Sequence, residues 1–457
     1  MLQAFRPALT RRMLTALVFA GLLAGCTSST AQPERGVSVT ARPDSSLADQ
    51  AVHVKITGLN PGKLVNVKLS STDAHGVPWQ ASASYRADAG GDVDLSTAAA
   101  ISGSYHGVSS MGLIWSMHPL KPDPAGAYFW GDTPLVFTLA VSAHGTRVAS
   151  ASFQRRFSPI AVTETMQSLA ADGFVGEFWH PANPVTRSPA VLVLGGSEGG
   201  LPGALLPALL ASNGYPALGV AYFAEPGLPQ TLSRIPLEYL ATALRWLARQ
   251  PGVNPSRIAV LGVSRGSEAA QLLGVYYPNL VHAVIASVPS NVALCSYPGC
   301  TGPAWTLHGQ ALPYTSEFDD PSPSDDPAAF IPDQRIQGPV FLDCGKVDLT
   351  WTSCPYAQAI LGLLDAHHDH RAHVLYAYPG AGHLVGSLVP YEPESPGAAA
   401  QTLTTQPTSK HAHCYGPTCS ASSPDSRITP RADNLKPHHV FDRGQQRRSD
   451  YDQLAPG

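Results

Sequence analysis

Charge is scarce in this sequence. Asp, Glu, Lys and Arg make up 14% of its 457 residues and leave a formal net charge of −4, so nothing electrostatic points to a nucleic-acid partner. Long apolar runs are scarce as well: beyond the N-terminal segment, none is long enough to span a bilayer as a helix. Cysteine is limited to seven residues, and no set of His, Cys, Asp and Glu has the spacing of a strong metal motif, so neither a metal nor a cofactor is expected. At 44% hydrophobic residues the chain is otherwise an ordinary globular one, long enough for about two or three domains.

The exception to the shortage of apolar runs is the first stretch, residues 1–26. "MLQAFRPALTRRMLTALVFAGLLAGC" sets Arg6, Arg11 and Arg12 ahead of an apolar run from Met13 to Leu23, with small residues before Cys26. That order makes an export signal rather than a membrane span. Its last four residues, Leu23-Ala24-Gly25-Cys26, resemble a bacterial lipobox. Cys26 is therefore the expected lipidation site, and a lipid anchor the expected tie to the membrane. The expected location is the bacterial cell envelope, with a periplasmic or secreted form cut near "TSSTAQ" as the alternative. Six cysteines then remain, an even number suited to disulfides in an oxidising compartment. They lie as close neighbours: Cys295 and Cys300, Cys344 and Cys354, Cys414 and Cys419. Sequence alone leaves their connectivity open. Local pairing is the simplest reading.

Residues 27–43 read as a polar tether. Across 44–158, "VHVKITGL", "LVNVKLSS", "PLVFTLAVS" and "RVASASFQRRF" alternate apolar and polar positions between Gly, Pro, Asn and Asp turns. This period of two predicts a small antiparallel domain, a β-sandwich, with no nucleophile, base or ligand cluster of its own. Over 159–392 the texture changes. "AVLVLGG", "PALGVAYF", "RIAVLGV", "HAVIASVP", "PVFLDCG" and "HVLYAYPG" are near-continuous apolar runs, as strands buried on both faces of a parallel sheet require. Leu237, Leu240, Leu244 and Leu247 mark one face of a helix between two of them. Strands alternating with helices predict an α/β domain whose site lies at the carboxyl ends of the strands. Residues 393–457 are rich in Pro, Ser, Thr, Gln and Ala with little periodicity and read as a low-complexity tail.

Two stretches carry Gly-x-Ser-x-Gly: "LGGSEGG" at 194–200 and "LGVSRGS" at 261–267. With 41 glycines in the chain, chance supplies roughly a third of a match, so context has to choose between them. Ser264 follows the apolar run "RIAVLGV" and precedes the helix-forming "GSEAAQLLGVYY", the strand-to-helix turn that exposes a nucleophile. Ser197 is followed by two glycines and a proline before any helix signal. A glycine-rich loop there suits an oxyanion-binding role: a backbone N–H at Ser197 or Glu198 would act with that of Arg265. A serine hydroxyl needs a histidine to take its proton and a carboxylate to hold the imidazole. "FLDCGKVD" delivers Asp348 and "YAYPGAGH" delivers His383, each just past a predicted strand and in the order Ser, Asp, His. Asp343 falls inside its strand and reads as a structural polar residue. His367, His368, His370 and His373 in "HHDHRAH" read as a solvated surface, and "HAHCYGPTC" as a disulfide loop.

Taken together, these residues resemble the acyl-CoA thioesterase and bile acid-CoA:amino acid N-acyltransferase family. The likeness runs from about Asp44 to His383 and includes "SASYRADAGGDVDLSTAAAISGSYHGVSSMGLIWSM" in the front domain, then "GGSEGGL", "LGVSRGSEAA", "GKVDLTW" and "YPGAGH". The resemblance implies an α/β-hydrolase domain behind a β-sandwich. It also implies a serine acyl hydrolase that cleaves thioesters through an acyl-enzyme on Ser264, with Asp348 and His383. Its acyltransferase branch carries cysteine where Ser264 stands, which favours hydrolysis here. Alternatives are an exported carboxylesterase or lipase-like enzyme on oxygen esters, an acyltransferase, and a non-enzymatic surface binding module. The expected partner is a small acyl ester or thioester.

Overall fold

The fold is described by a computed structural model covering residues 36–393 apart from 122–127, 132, 158–160, 185 and 380. The segment read as an export signal, Cys26, the residues read as a tail, and Cys414 and Cys419 lie outside the described residues. In the front domain the period-two runs become strands. Leu64–Thr72 turns Val65, Val67 and Leu69 inward while Leu64, Asn66 and Lys68 face out, as the pleat requires. It lies between Leu135–Ala143 and Pro78–Arg86 in a sheet that continues through Thr146–Arg156 to Ser45–Leu47. A second sheet of three strands, Ser38–Arg42, His53–Thr57 and Val93–Asp94, presents Val39, Ala41, Val54 and Ile56 to the same core. Two sheets sharing one core make a sandwich.

One boundary differs from the sequence reading. Residues 38–42, assigned to the tether, form an edge strand paired with His53–Thr57 from Ser38↔Thr57 to Arg42↔His53. The signal was present in "SVTAR", whose Val39 and Ala41 are buried and whose other three residues are exposed. Five residues with only two apolar side chains were too short a stretch to register.

The second domain is built on an eight-stranded sheet. Its strands are β1 (Val162–Gln167), β2 (Val175–Pro181), β3 (Ser188–Leu194), β4 (Ala217–Ala221), β5 (Val253–Val263), β6 (Ala283–Ser287), β7 (Val340–Gly345) and β8 (Val374–Tyr378). The spatial order is β1-β2-β4-β3-β5-β6-β7-β8. β2 runs antiparallel to both of its neighbours, and every pairing from β4 to β8 is parallel. Every residue of β4 and Ala190–Leu194 of β3 are buried, which is why these strands read as continuous apolar runs. Helices α1 (Leu205–Ser212), α2 (Leu237–Leu247), α3 (Arg265–Tyr276) and α4 (Ser353–Ala366) connect them.

Leu206 and Leu210 of α1 pack on the face carrying Val191, Val193 and Leu261. α2, α3 and α4 join the cluster of Leu192, Leu194, Val260 and Leu342. The leucines at 237, 240, 244 and 247 are all fully buried in it, each contributing about 2 kcal/mol by leaving water. This is an α/β-hydrolase architecture behind a β-sandwich, and the described residues from Val37 onward form one compact unit. Among the described residues no helix is long and apolar enough to cross a membrane.

Candidate active site

β5 ends at Val263 and α3 begins at Arg265, leaving Ser264 alone to make the turn. It does so at φ 54 and ψ −123, a backbone conformation that costs a non-glycine residue on the order of 1 to 3 kcal/mol. The flanking glycines make this turn possible. A Cβ on Gly262 would stand 2.0 Å from the carbonyl oxygen of Gly266, and one on Gly266 would stand 2.3 Å from that of Gly195. The Ser264 N–H donates to the Ser287 carbonyl at 3.0 Å, tying the turn to the end of β6. The N–H of Arg265, first in α3, has no acceptor within its own helix.

His383 and Asp348 meet Ser264 at this point. His383 Nε2 lies 2.9 Å from Ser264 Oγ, and its Nδ1 lies 2.8 Å from Asp348 Oδ2. For a neutral imidazole the arrangement has the Nδ1 proton donated to the carboxylate, which leaves Nε2 to accept the serine proton. The Asp348 side chain is 1% exposed and that of His383 12%. Asp348 Oδ1 also accepts the N–H groups of Thr350 at 2.9 Å and Trp351 at 3.4 Å. Trp351 sets its ring edge-on to His383, 5.7 Å between centroids, and its Nε1 donates to the Val288 carbonyl at 3.0 Å.

The two supporting loops brace each other. Lys346 N–H donates to Tyr378 O at 3.0 Å and Val347 N–H to Ala381 O at 3.1 Å. A disulfide between Cys344 and Cys354 brackets the segment that carries Asp348. Closing so short a loop is worth about 3 kcal/mol in chain entropy. The other bridge joins Cys295 and Cys300. Both are the local pairs read from the sequence.

The other Gly-x-Ser-x-Gly is a loop. After β3 the chain passes through Gly195 and Gly196, whose carbonyls accept the Tyr222 hydroxyl at 2.7 and 3.2 Å, and α1 does not begin until Leu205. The loop lies against the turn: a Cβ on Gly196 would be 3.0 Å from Ser264 Cβ. The Glu198 side chain turns back along it, and Oε1 accepts the Gly196 N–H at 2.7 Å. Glu198 thus engages the loop through its carboxylate, a contact that sequence reasoning did not anticipate.

Sequence reasoning also missed what the Arg265 side chain does. Its guanidinium is buried against Glu268, with Nε 2.6 Å from Oε1, and Nη2 donates to the Leu294 and Cys295 carbonyls at 3.1 and 2.9 Å. Glu268 in turn accepts Trp305 Nε1 at 2.8 Å and Leu294 N–H at 3.1 Å. Burial raises the Glu268 carboxyl above its ordinary range, against the pull of Arg265. These bonds moor the long excursion between β6 and β7 to the start of α3. The Arg and Glu spacing in "SRGSE" was the available signal.

Asp343 is fully buried inside β7 and accepts the Ser287 hydroxyl at 2.6 Å, while the carboxylate that meets His383 is that of Asp348. In the histidine cluster, His373 is held by Asp369 at 3.3 Å and accepts the Val340 N–H at 3.1 Å. Among the described residues no group of three His, Cys, Asp or Glu is placed to hold a metal ion.

Known proteins divide the chain in a similar way. Residues 49–166 match the acyl-CoA thioester hydrolase/BAAT N-terminal region, and residues 235–423 match the BAAT/acyl-CoA thioester hydrolase C terminal. "LGGSEGG" falls between the two. Acyl-coenzyme A thioesterase 1 of Homo sapiens is 29% identical over 352 residues, covering 74% of this chain and 82% of that protein. Acyl-coenzyme A thioesterase 1 of Rattus norvegicus is 30% identical over 359 residues, again covering 74% and 82%. Among solved structures, an esterase from Pyrobaculum calidifontis is similar at 19% identity and a TM-score of 0.36, over 50% of this chain and 80% of that one.

Proposed function

This chain belongs to the acyl-CoA thioesterase/BAAT family and is a hydrolase of that family, and from that premise we propose that it cleaves acyl thioesters through an acyl-enzyme on Ser264. The observation that carries the reading is the hydrogen-bonded chain Ser264–His383–Asp348, assembled from residues 119 and 35 positions apart. Ser264 Oγ attacks the thioester carbonyl as His383 Nε2 takes its proton. The tetrahedral oxyanion is met by the Arg265 N–H and by a backbone N–H at Ser197 or Glu198, each such donor being worth about 3 to 4 kcal/mol at the transition state. Collapse expels the thiolate, which takes the proton from His383. Water then attacks the acyl-serine with His383 as base, releasing the carboxylic acid and restoring the hydroxyl. Asp348 holds the imidazole in the tautomer this sequence needs and stabilises its charged form.

A second reading is favoured by the two disulfides. They suit an oxidising compartment, and with the export signal and the lipobox at Cys26 they support an envelope enzyme. Coenzyme A thioesters are scarce there, so an oxygen ester is the alternative substrate. Assay of the purified chain on acyl-CoA, acyl-pantetheine and aryl esters separates the two. Turnover of thioesters well above aryl esters supports the thioesterase, and the reverse order replaces it with the esterase. Incorporation of labelled palmitate that persists in Cys26→Ser overturns the lipidation proposal.

A further inference from the structure

The front domain ends in an arginine that the active-site chemistry does not use. Arg155, next to last in the strand Thr146–Arg156, is fully buried. Its guanidinium lies over the rings of Trp130 and Phe137, at 5.6 and 6.0 Å. It donates to the carbonyls of Ala48 and, at 3.2 Å, Gln50, both within the front domain. The remaining bond crosses the molecule: Nη1 donates to the Tyr391 carbonyl at 3.1 Å, 236 positions along the chain. Asp49, Tyr128, Tyr391 and Glu392 are the titratable groups around it.

Tyr391 closes the segment that leaves His383. From His383 the chain makes a 3-10 turn to Ser387, passes Leu388 at φ 57, and buries Val389 against Ala48 and Leu209. Asp49, beside Ala48, accepts Asn213 Nδ2 at 2.7 Å at the end of α1. The front domain therefore grips this outgoing leg at several points, among them Val389, the Tyr391 side chain and the Arg155–Tyr391 bond. A methionine at 155 would fill the space beside Trp130 and Phe137 but make none of these bonds. Only a forked donor joins the two segments, and burying its charge is costly unless those bonds are made.

We propose that Arg155 is a positioning residue that fixes His383 through the leg it anchors, so that the front domain acts as a scaffold for the base. This rests on the reading of His383 as the base for Ser264. The test compares Arg155→Met, Arg155→Lys and Val389→Ala in the full chain, below their melting temperatures, with active sites counted by a fluorophosphonate probe. For Arg155→Met, kcat per labelled site should fall about tenfold with KM within about twofold, the signature of a misplaced base. Arg155→Lys, which keeps the charge without the fork, should recover only part of it.

Val389→Ala leaves the front domain's interior intact and makes the same test independently, with kcat per site lower by about threefold. Combined with Arg155→Met, it should cost less than the product of the two. Unchanged kcat per labelled site in Arg155→Met or Val389→Ala, whatever the melting temperature, overturns the proposal. A Ser264→Ala chain that still turns over substrate removes instead the reading on which it rests.

Discussion

Gly-x-Ser-x-Gly closes two strands that lie side by side, β3 and β5, with Leu194 opposite Gly262. After β5 the helix starts at once, and Ser264 stands at φ 54 between glycines pressed against backbone. After β3 the chain wanders through Gly199 and Gly200 at φ 71 and 72 before α1. The pentapeptides differ in the residues that come next: helix formers after the second, Gly, Leu and Pro after the first. A motif in this fold is defined by the element it opens into. One copy presents a hydroxyl to His383, and the other lays a loop of backbone against it.

That contrast can be broken most directly at the two serines. Ser264→Ala should lower turnover about 10,000-fold and abolish fluorophosphonate labelling, while Ser197→Ala should keep activity within about threefold. Comparable losses at both positions would erase the distinction. Asp348→Asn should cost about a thousandfold in kcat, because the imidazole loses the acceptor that sets its tautomer. Rates at that level with near-native melting would confirm that the loss is chemical.

The glycines sharpen the comparison further. Gly262→Ala drives a methyl into the backbone of the turn and should cost about 3 kcal/mol or more, read as a lower midpoint in urea. Gly195→Ala crowds the Glu198 carboxylate, at 2.6 Å, and touches the Pro202 backbone at an ordinary 3.5 Å; the carboxylate can swing aside by giving up the Gly196 N–H. It should cost under about 1 kcal/mol. Equal costs would mean that both turns are equally tight.

A last effect, seen only as a dependence on pH, concerns β2. Glu177 on β2 is 5% exposed and pairs with Gly219 of β4, and burial pushes its carboxyl up to about 7. A raised folded-state value means the stability it contributes is present at acid pH and is lost as pH rises through about 7. Glu177→Gln should therefore flatten the fall in stability between about pH 5 and 8, by on the order of 2 kcal/mol. Glu392, also near 7 for the same reason, leaves a residual slope of the same sign. A variant with the native slope would remove Glu177 as its source.

Much of this was legible in the chain. The buried β4, the leucine stripe of α2 and the alternation of Leu64–Thr72 each follow from a period that a few consecutive residues display. Ser264, Asp348 and His383 could be placed because each follows a strong strand signal, and the strands that precede them, β5, β7 and β8, lie in the parallel part of one sheet. The edge strand Ser38–Arg42 was too short for its period to stand out. The mooring of Arg265 to the carbonyls of Leu294 and Cys295 was hidden because main-chain acceptors have no letter in a sequence.

By itself, then, the sequence determined the fold class and the order of the site residues, properties carried by neighbours in the chain, and left the cysteine pairing to the structure. Tertiary structure alone decided where Glu198 turns its carboxylate and how Arg155 reaches Tyr391 across 236 residues. The physical reason is that a buried polar group takes whichever acceptor the completed packing brings within reach, and that partner is chosen by folding rather than by spacing.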